Sequence, residues 1–268
     1  MCYIKFEREH NMEKNNKIKD ETAAKDFYVQ DDRFYKIFDE NKSVADILNE
    51  ALNLARVEET GIRIPNFIEL TSIGGRWALI TKNVKGKNMA KLLEENPDKE
   101  DELLNRFVDI QIDIQNRKCP LLSRHIDKMN RKIAQTDLSA TLRYDLHNRI
   151  ESMPRHLDLC HGDYNPSNVV ISEDDEAYIV DWTHATQGNA EADAARTFLL
   201  FLLDDKKKRA GKYLTLYCEK KGCSYKDVLA WLPILAASQS VKGFKNESAF
   251  LHSLIFMDDN QLEELYER

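Results

Sequence analysis

The sequence predicts an α+β chain in which a β-rich N-terminal region of about 85 residues precedes a larger helical region. Three observations carry that expectation. Two β-prone runs, Asp26–Gln30 and Arg33–Phe38, flank the turn pair Asp31–Asp32, the spacing of a tight hairpin. After Gly86 the apolar residues recur with a helical period. A second pair of β runs, Val169–Ser172 and Ala177–Val180, is interrupted only by the acidic turn Glu173–Glu176.

The elements follow in order. Residues 1–20 are polar, with a weak strand signal at Tyr3–Phe6. After the first hairpin, Ser43 opens a helix with Asp46 near a capping-box position. Its expected apolar face is Val44, Ile47, Leu48, Ala51, Leu54 and Ala55. Gly61 and Pro65 end it and lead into a strand at Asn66–Leu70. The Gly74–Gly75 turn precedes a strand at Trp77–Thr81, and Lys82–Gly86 reads as a connector. Helical periodicity then covers 88–95, 99–117, 124–135 and 138–152. The hairpin occupies 169–181, and helices dominate from Asp193 onward.

Composition bounds the function classes. The 268 residues suffice for one large domain or two lobes, and 42% hydrophobic residues support a sizeable core. Lys and Arg total 39 against 46 Asp and Glu, a net charge of −7. That balance argues against general nucleic-acid binding, which is driven by phosphate neutralisation, and suits a cationic substrate better than an anionic one. Cys2, Cys119, Cys160, Cys218 and Cys223 form no CxxC pair, as expected of a reduced intracellular protein. The start MCYIKFEREH lacks a signal-peptide core. Apolar runs such as Phe198–Leu203 are too short to span a bilayer. The expectation is a cytoplasmic protein with no nucleic-acid or membrane partner.

The chemistry concentrates in Leu159–Trp182, LCHGDYNPSNVVISEDDEAYIVDW. In an antiparallel hairpin the entry to the first strand lies beside the exit from the second. That places Asn168 next to Asp181. Both offer hard oxygen atoms of the kind that hold Mg²⁺ together with phosphate. Asp163 lies five residues before Asn168, on a loop stiffened by Pro166. A divalent cation would let Asp181 bind metal while Asp163 accepts a proton from an attacking hydroxyl. Taken alone, Asp and Asn in such loops also serve as local turn formers.

HGDYNPSN followed by IVDW resembles the catalytic and metal-binding loops of the aminoglycoside phosphotransferase and choline-kinase-like superfamily, which has the protein-kinase-like two-lobe fold. GRWALITKNVKGKNMAKLL resembles its hinge strand and following helix. YLTLYCEKKG and AWLPILAASQS resemble its C-terminal helices, so the likeness covers about residues 18–258. The resemblance implies a nucleotide-binding lobe at 1–84 and a helical lobe at 85–268 carrying the catalytic loop and substrate site. It implies an ATP- and Mg²⁺-dependent phosphotransferase acting on a hydroxyl of an aminoglycoside-like or amino-alcohol-like molecule. By it, Asp163 is the catalytic base, Asn168 and Asp181 are Mg²⁺ ligands, and His161 and Asp193 support the catalytic loop. Asp193 also reads as a helix N-terminal acid favoured by the macrodipole.

Lys36 is the phosphate-binding candidate. It alternates with Phe34 and Phe38 on one strand face, where a lysine either snorkels to solvent or points into a site. Its expected partner is Glu50, which flanks the apolar arc centred near Ile47 and Ala51, with Glu40 and Glu58 as rivals. Adenine is expected against the backbone of Thr81, Lys82, Asn83 and Val84. One stretch departs from the family. Where a glycine-bearing phosphate loop is usual, IKDETAAKDFYV has no glycine and carries Asp20 and Glu21. A non-catalytic nucleotide-binding protein is therefore an alternative. A protein kinase is a weaker one. Gly162 stands where such enzymes have Arg, Asp-Trp-Thr replaces Asp-Phe-Gly, and only eleven residues separate Asp181 from Asp193. The acidic C-terminal residues Asp258, Asp259, Glu263, Glu264 and Glu267 suit an amine acceptor or simply a solvated helix.

Overall fold

The computed structural model describes residues 17–19, 26–258 and 260–262 of the chain. The expected strand at Tyr3–Phe6 lies outside them. The chain divides into two compact units. One runs through Ala51 and resumes at Pro65–Asn83; the other comprises Leu52–Ile64 and Val84 onward.

The smaller unit is an antiparallel sheet of β1 (Lys17–Lys19), β2 (Asp26–Gln30), β3 (Arg33–Ile37), β4 (Phe67–Ile73) and β5 (Arg76–Lys82), in the order β1-β2-β3-β5-β4. The β2–β3 turn places Asp31 and Asp32 at φ 51° and 59°. Both central residues are left-handed, so the turn twists with its flanking strands. Directly across this hairpin Tyr28 stacks on Tyr35 at 4.5 Å, and on the diagonal Phe27 stacks on Phe34 at 5.7 Å. β4 is longer than the sequence suggests. Gly74 and Gly75, also at positive φ, close a two-residue turn that lets pairing continue to Ile73 opposite Arg76.

Helix α1 (Val44–Glu58) begins where Ser43 predicts, with Ser43 Oγ accepting from the Asp46 N–H at 3.1 Å. Its buried face differs from the expected one. Val44, Leu48 and Ala55 are exposed, whereas Ile47, Glu50, Ala51, Leu54 and Val57 are buried. The stripe is rotated because Glu50 does not flank the apolar arc but lies inside it, turned inward to an ion pair with Lys36.

The larger unit is mostly helical: α2 (Met89–Glu95), α3 (Glu100–Gln115), α4 (His125–Ala134), α5 (Ala140–Ser152), α6 (Ala190–Leu203), α7 (Lys207–Lys221), α8 (Tyr225–Leu229), α9 (Leu232–Ser240) and α10 (Lys245–Ile255). The expected hairpin forms as β8 (Val169–Ser172) and β9 (Ala177–Ile179), and β6 (Gly86–Asn88) adds to it as a third strand. Sequence reasoning had β6 as the end of a connector. A further pair, β7 (Asp158–Cys160) with β10 (Thr186–Gly188), brackets the segment that carries the chemistry.

α6 is the axis of this unit. Ala190, Ala192, Ala194, Ala195 and Leu199 have no exposed surface, because small and apolar residues occur on every side of the helix. Beside it, the fully buried Phe107 of α3 stacks on Tyr164 at 4.4 Å and meets Phe201 and Tyr213 edge-on at 6.1 Å. Among the described residues no helix is long and apolar enough to cross a membrane.

Phe107→Ala removes the ring at the centre of this aromatic group. Urea unfolding followed by circular dichroism should show a loss of about 3–5 kcal/mol. A loss below about 1 kcal/mol would mean that the aromatic group repacks freely.

Candidate active site

The chain leaves β7 at Cys160 and runs through His161–Asn168 into β8. Pro166–Asn168 form one 3₁₀ turn, capped by Asn165, whose Oδ1 accepts from the Ser167 N–H at 2.9 Å. Asn165 and Asn168 both donate through Nδ2 to the Asp163 carbonyl, at 3.0 and 2.9 Å. The loop therefore folds back on Asp163. That donation leaves Oδ1 as the acceptor Asn168 has for a cation.

The hairpin aligns the second acid. Val180 N–H donates to the Asn168 carbonyl at 3.0 Å, which ties the exit of β9 to the entry of β8. Asp181 follows at φ 60°, a left-handed conformation that turns the chain away from the strand direction. Thr183 donates its hydroxyl to Asp181 Oδ1.

His161 joins the two segments. It is fully buried, its Nδ1 accepts from the Asp163 N–H at 3.3 Å, and its Nε2 meets the Val180 carbonyl at 3.0 Å. A neutral ring with its proton on Nε2 satisfies both contacts. The ring also lies 4.6 Å from that of Trp182. Gly162 is at φ 77°, and a Cβ there would sit 2.4 Å from the His184 carbonyl oxygen. Only glycine fits. The Gly162 N–H donates to Asp193 Oδ1 at 2.7 Å, while Asp193 Oδ2 receives Gln111 at 3.2 Å and Gln115 at 3.4 Å.

Several residues in this network were not singled out from the sequence. Gln111 and Gln115 of α3 accept the hydroxyls of Tyr213 and Tyr217 of α7, at 2.6 and 2.9 Å. Two i,i+4 polar pairs on helices otherwise packed by apolar residues were the available signal. Arg196 was also missed. Its Nη2 lies 3.3 Å from Asp163 Oδ1, and its Nη1 donates to Gln239 Oε1 at 2.9 Å. It stands three residues after Asp193, on the same face of α6. Lys128 of α4 donates to the His184 carbonyl at 3.0 Å. Burial, with Arg196 adding to it, pushes the Lys128 amine down to about 8 against the pull of Asp163. Burial and then Lys128 hold the His184 imidazole down to about 3.

In the smaller unit Lys36 and Glu50 form an ion pair at 6% and 3% exposure, and the Lys36 ammonium lies 5.8 Å from the Phe38 ring centre. Glu50 Oε2 is buried without a hydrogen-bond partner among the described residues. Glu40 is exposed. Thr81 is buried within β5. The amides of Lys82 and Asn83 donate to the Asn66 and Asp32 carbonyls, each at 2.9 Å. Of the four residues expected to meet adenine, these two N–H groups are thus already committed. Val84 belongs to the larger unit. Asp20–Ala24 of the glycine-free stretch lie outside the described residues, as do Asp259, Glu263, Glu264 and Glu267. Asp258 uses Oδ1 to accept the Gln261 N–H at 2.9 Å.

Among the described residues no group of three or more His, Cys, Asp or Glu side chains could hold a metal ion. One carboxylate and one carboxamide, Asp181 and Asn168, are a donor set that fits Mg²⁺. That ion keeps several waters and shares its sphere with substrate phosphate.

A family model described as the phosphotransferase enzyme family matches residues 16–232. No curated protein matches the sequence. Among solved structures, a thermostable mutant of aminoglycoside phosphotransferase APH(4)-Ia is similar at TM-score 0.64 and 13% identity, covering 95% of this chain and 94% of that one. The choline kinase LicA from Streptococcus pneumoniae is similar at 0.61 and 13%, covering 96% and 93%. A choline/ethanolamine kinase family protein from Mesorhizobium loti gives 0.60 and 12%, covering 92% and 90%. A further variant of the same aminoglycoside phosphotransferase has been solved as a ternary complex with ADP and hygromycin B. These likenesses show the fold, which is protein-kinase-like.

Asp193→Asn tests the bracing of the loop. It keeps the shape but replaces one acceptor oxygen by an NH₂, so a donor faces either the Gly162 N–H or the two glutamine amides. Urea unfolding should show a loss of about 2–3 kcal/mol. A change below about 0.5 kcal/mol would mean that the loop does not depend on this carboxylate.

Proposed function

Because this chain belongs to the phosphotransferase enzyme family and is a small-molecule kinase, we propose that it moves the γ-phosphate of ATP, with Mg²⁺, to an acceptor hydroxyl. The observation that carries the reading is the joining of Asp163, Asn168 and the strand leading to Asp181 by direct hydrogen bonds around His161. The ADP complex of the related aminoglycoside phosphotransferase supports a nucleotide as donor.

In this reading Asp163 takes the proton of the acceptor hydroxyl as its oxygen bonds to the γ-phosphorus. The bond from that phosphorus to the β-phosphate oxygen breaks, and ADP leaves. Arg196 and Asn165 fix the Asp163 side chain, so positioning is supplied before the acceptor arrives. Lys36, held by Glu50, neutralises phosphate charge. Asn168 Oδ1 and Asp181 would hold Mg²⁺, which when bound screens the charge on the transferring phosphoryl oxygens. Thr81–Val84 would face adenine through the backbone groups that remain uncommitted. His161 and Asp193 act through the loop and touch no reactant. A cytoplasmic setting fits ATP as donor and the free thiols of Cys119, Cys160, Cys218 and Cys223. The clash that excludes a side chain at 162 sets the loop apart from the His-Arg-Asp form of protein kinases.

Asp163→Asn should lower kcat by roughly 10²–10⁴ in an ADP-release assay over a panel of hydroxylated small molecules, with KM for ATP changed less than threefold. Turnover within threefold of wild type would remove Asp163 from proton transfer.

A further inference from the structure

Among the described residues the charge gathered around Asp163 is opposite in sign to the chain's net charge of −7. Four cations converge there from three segments of the larger unit. Arg196 of α6 contacts the Asp163 carboxylate directly. Lys128 of α4 reaches the His184 carbonyl, the same oxygen against which the Gly162 backbone is packed, and this sets its ammonium beside the catalytic turn. Lys132 stands one helical turn further along α4. Lys242 lies in the turn that closes α9, with its N–H on the Gln239 carbonyl, and Gln239 is the residue that holds Arg196.

These cations press on one another. The Lys128 amine is lowered first by burial and then by Arg196, with Lys132 and Lys242 adding to it. Lys242 is lowered by burial and by Arg196 as well, and Asp163 and Glu247 act in the other direction. Of the four, only Arg196 has an ion pair among the described residues. Glu247 is engaged by Gln239 at 2.8 Å. Among the described residues three carboxylates, Asp163, Asp181 and Glu247, thus stand against four positive groups. Holding like charges together in a half-buried place is unfavourable unless an anion joins them.

We infer that the acceptor hydroxyl belongs to an anionic molecule, carrying a carboxylate or phosphate that Lys128, Lys132 and Lys242 receive while Asp163 addresses the hydroxyl. This rests on the phosphotransfer reading of Asp163. It departs from the aminoglycoside-like or amino-alcohol-like acceptor expected from the sequence. Such acceptors are cations, and this cluster would repel them. Arg196 serves to orient Asp163 and to keep the positive field next to the hydroxyl. The transferred group adds negative charge to the product, which the same cluster tolerates.

The test uses the full chain with two sets of probes. D-glycerate and glycerol 3-phosphate are hydroxylated anions that separate a carboxylate from a phosphate requirement; choline and hygromycin B are hydroxylated cations. Thermal shift in the presence of a non-hydrolysable ATP analogue reads binding, and ADP release reads transfer. The expected result is stabilisation by at least one anion and none by the cations. Lys128→Ala and, separately, the more exposed Lys242→Ala should each raise KM for that anion about tenfold, the effect of one charged hydrogen bond. KM for ATP should stay within twofold. Stabilisation by the cations alone, or by neither set, would overturn the inference. So would lysine variants that raise KM for ATP instead, since the cluster would then serve the nucleotide. Anion binding that depends on these lysines, without ADP release for any probe, would support the anion site and refute phosphotransfer.

Discussion

The loop that carries Asp163 depends on one buried carboxylate. Asp193 is 2% exposed, and a charge so placed persists only if its oxygens are met by donors. Here three amide donors meet it: the Gly162 N–H from the loop, and Gln111 and Gln115 from α3. The first turn of α6 adds the positive end of its dipole. Because Gly162 is fixed by Asp193, His161 on one side and Asp163 on the other are fixed in direction. His161 then passes that order to the β9 exit through the Val180 carbonyl. The same side chain thus stands at a helix start and accepts the Gly162 N–H of the loop.

Much of this was legible in the residues. The long helices between 88 and 152 follow periodic apolar positions, and the two hairpins follow turn chemistry at Asp31–Asp32 and Glu173–Glu176. The juxtaposition of Asn168 with the β9 exit follows from antiparallel geometry alone. The pairing of β7 with β10 was not legible, because three residues give no periodic signal and the partner lies 26 or more positions away in sequence. The rotated face of α1 was missed for a related reason. A hydrophobicity pattern places Glu outside the buried arc, whereas an inward lysine on the neighbouring strand makes Glu50 the better occupant. Arg196 and the Gln–Tyr pairs escaped because partners from distant helices, not local spacing, give these polar groups their place.

The charge distribution carries a similar lesson. A net charge of −7 describes the chain as a whole and suits a cationic acceptor slightly better, the kind the family resemblance implies. Near Asp163, four cations on α6, on α4 and just beyond α9 come together among the described residues, an approach that no compositional count contains. The Lys36–Glu50 pair makes the same point in the smaller unit. Two residues fourteen apart become one buried ion pair only after strand and helix have formed.

The tight approach of Gly162 to the His184 carbonyl also limits how this loop can change over time. Any side chain at 162 must first displace the segment just after Asp181, and with it the oxygen that anchors Lys128. A loop of the His-Arg-Asp kind therefore requires a shifted segment after Asp181 as well as a new side chain at 162. Positions around the loop are held less tightly: Lys242, exposed just beyond α9, can be exchanged without meeting that carbonyl.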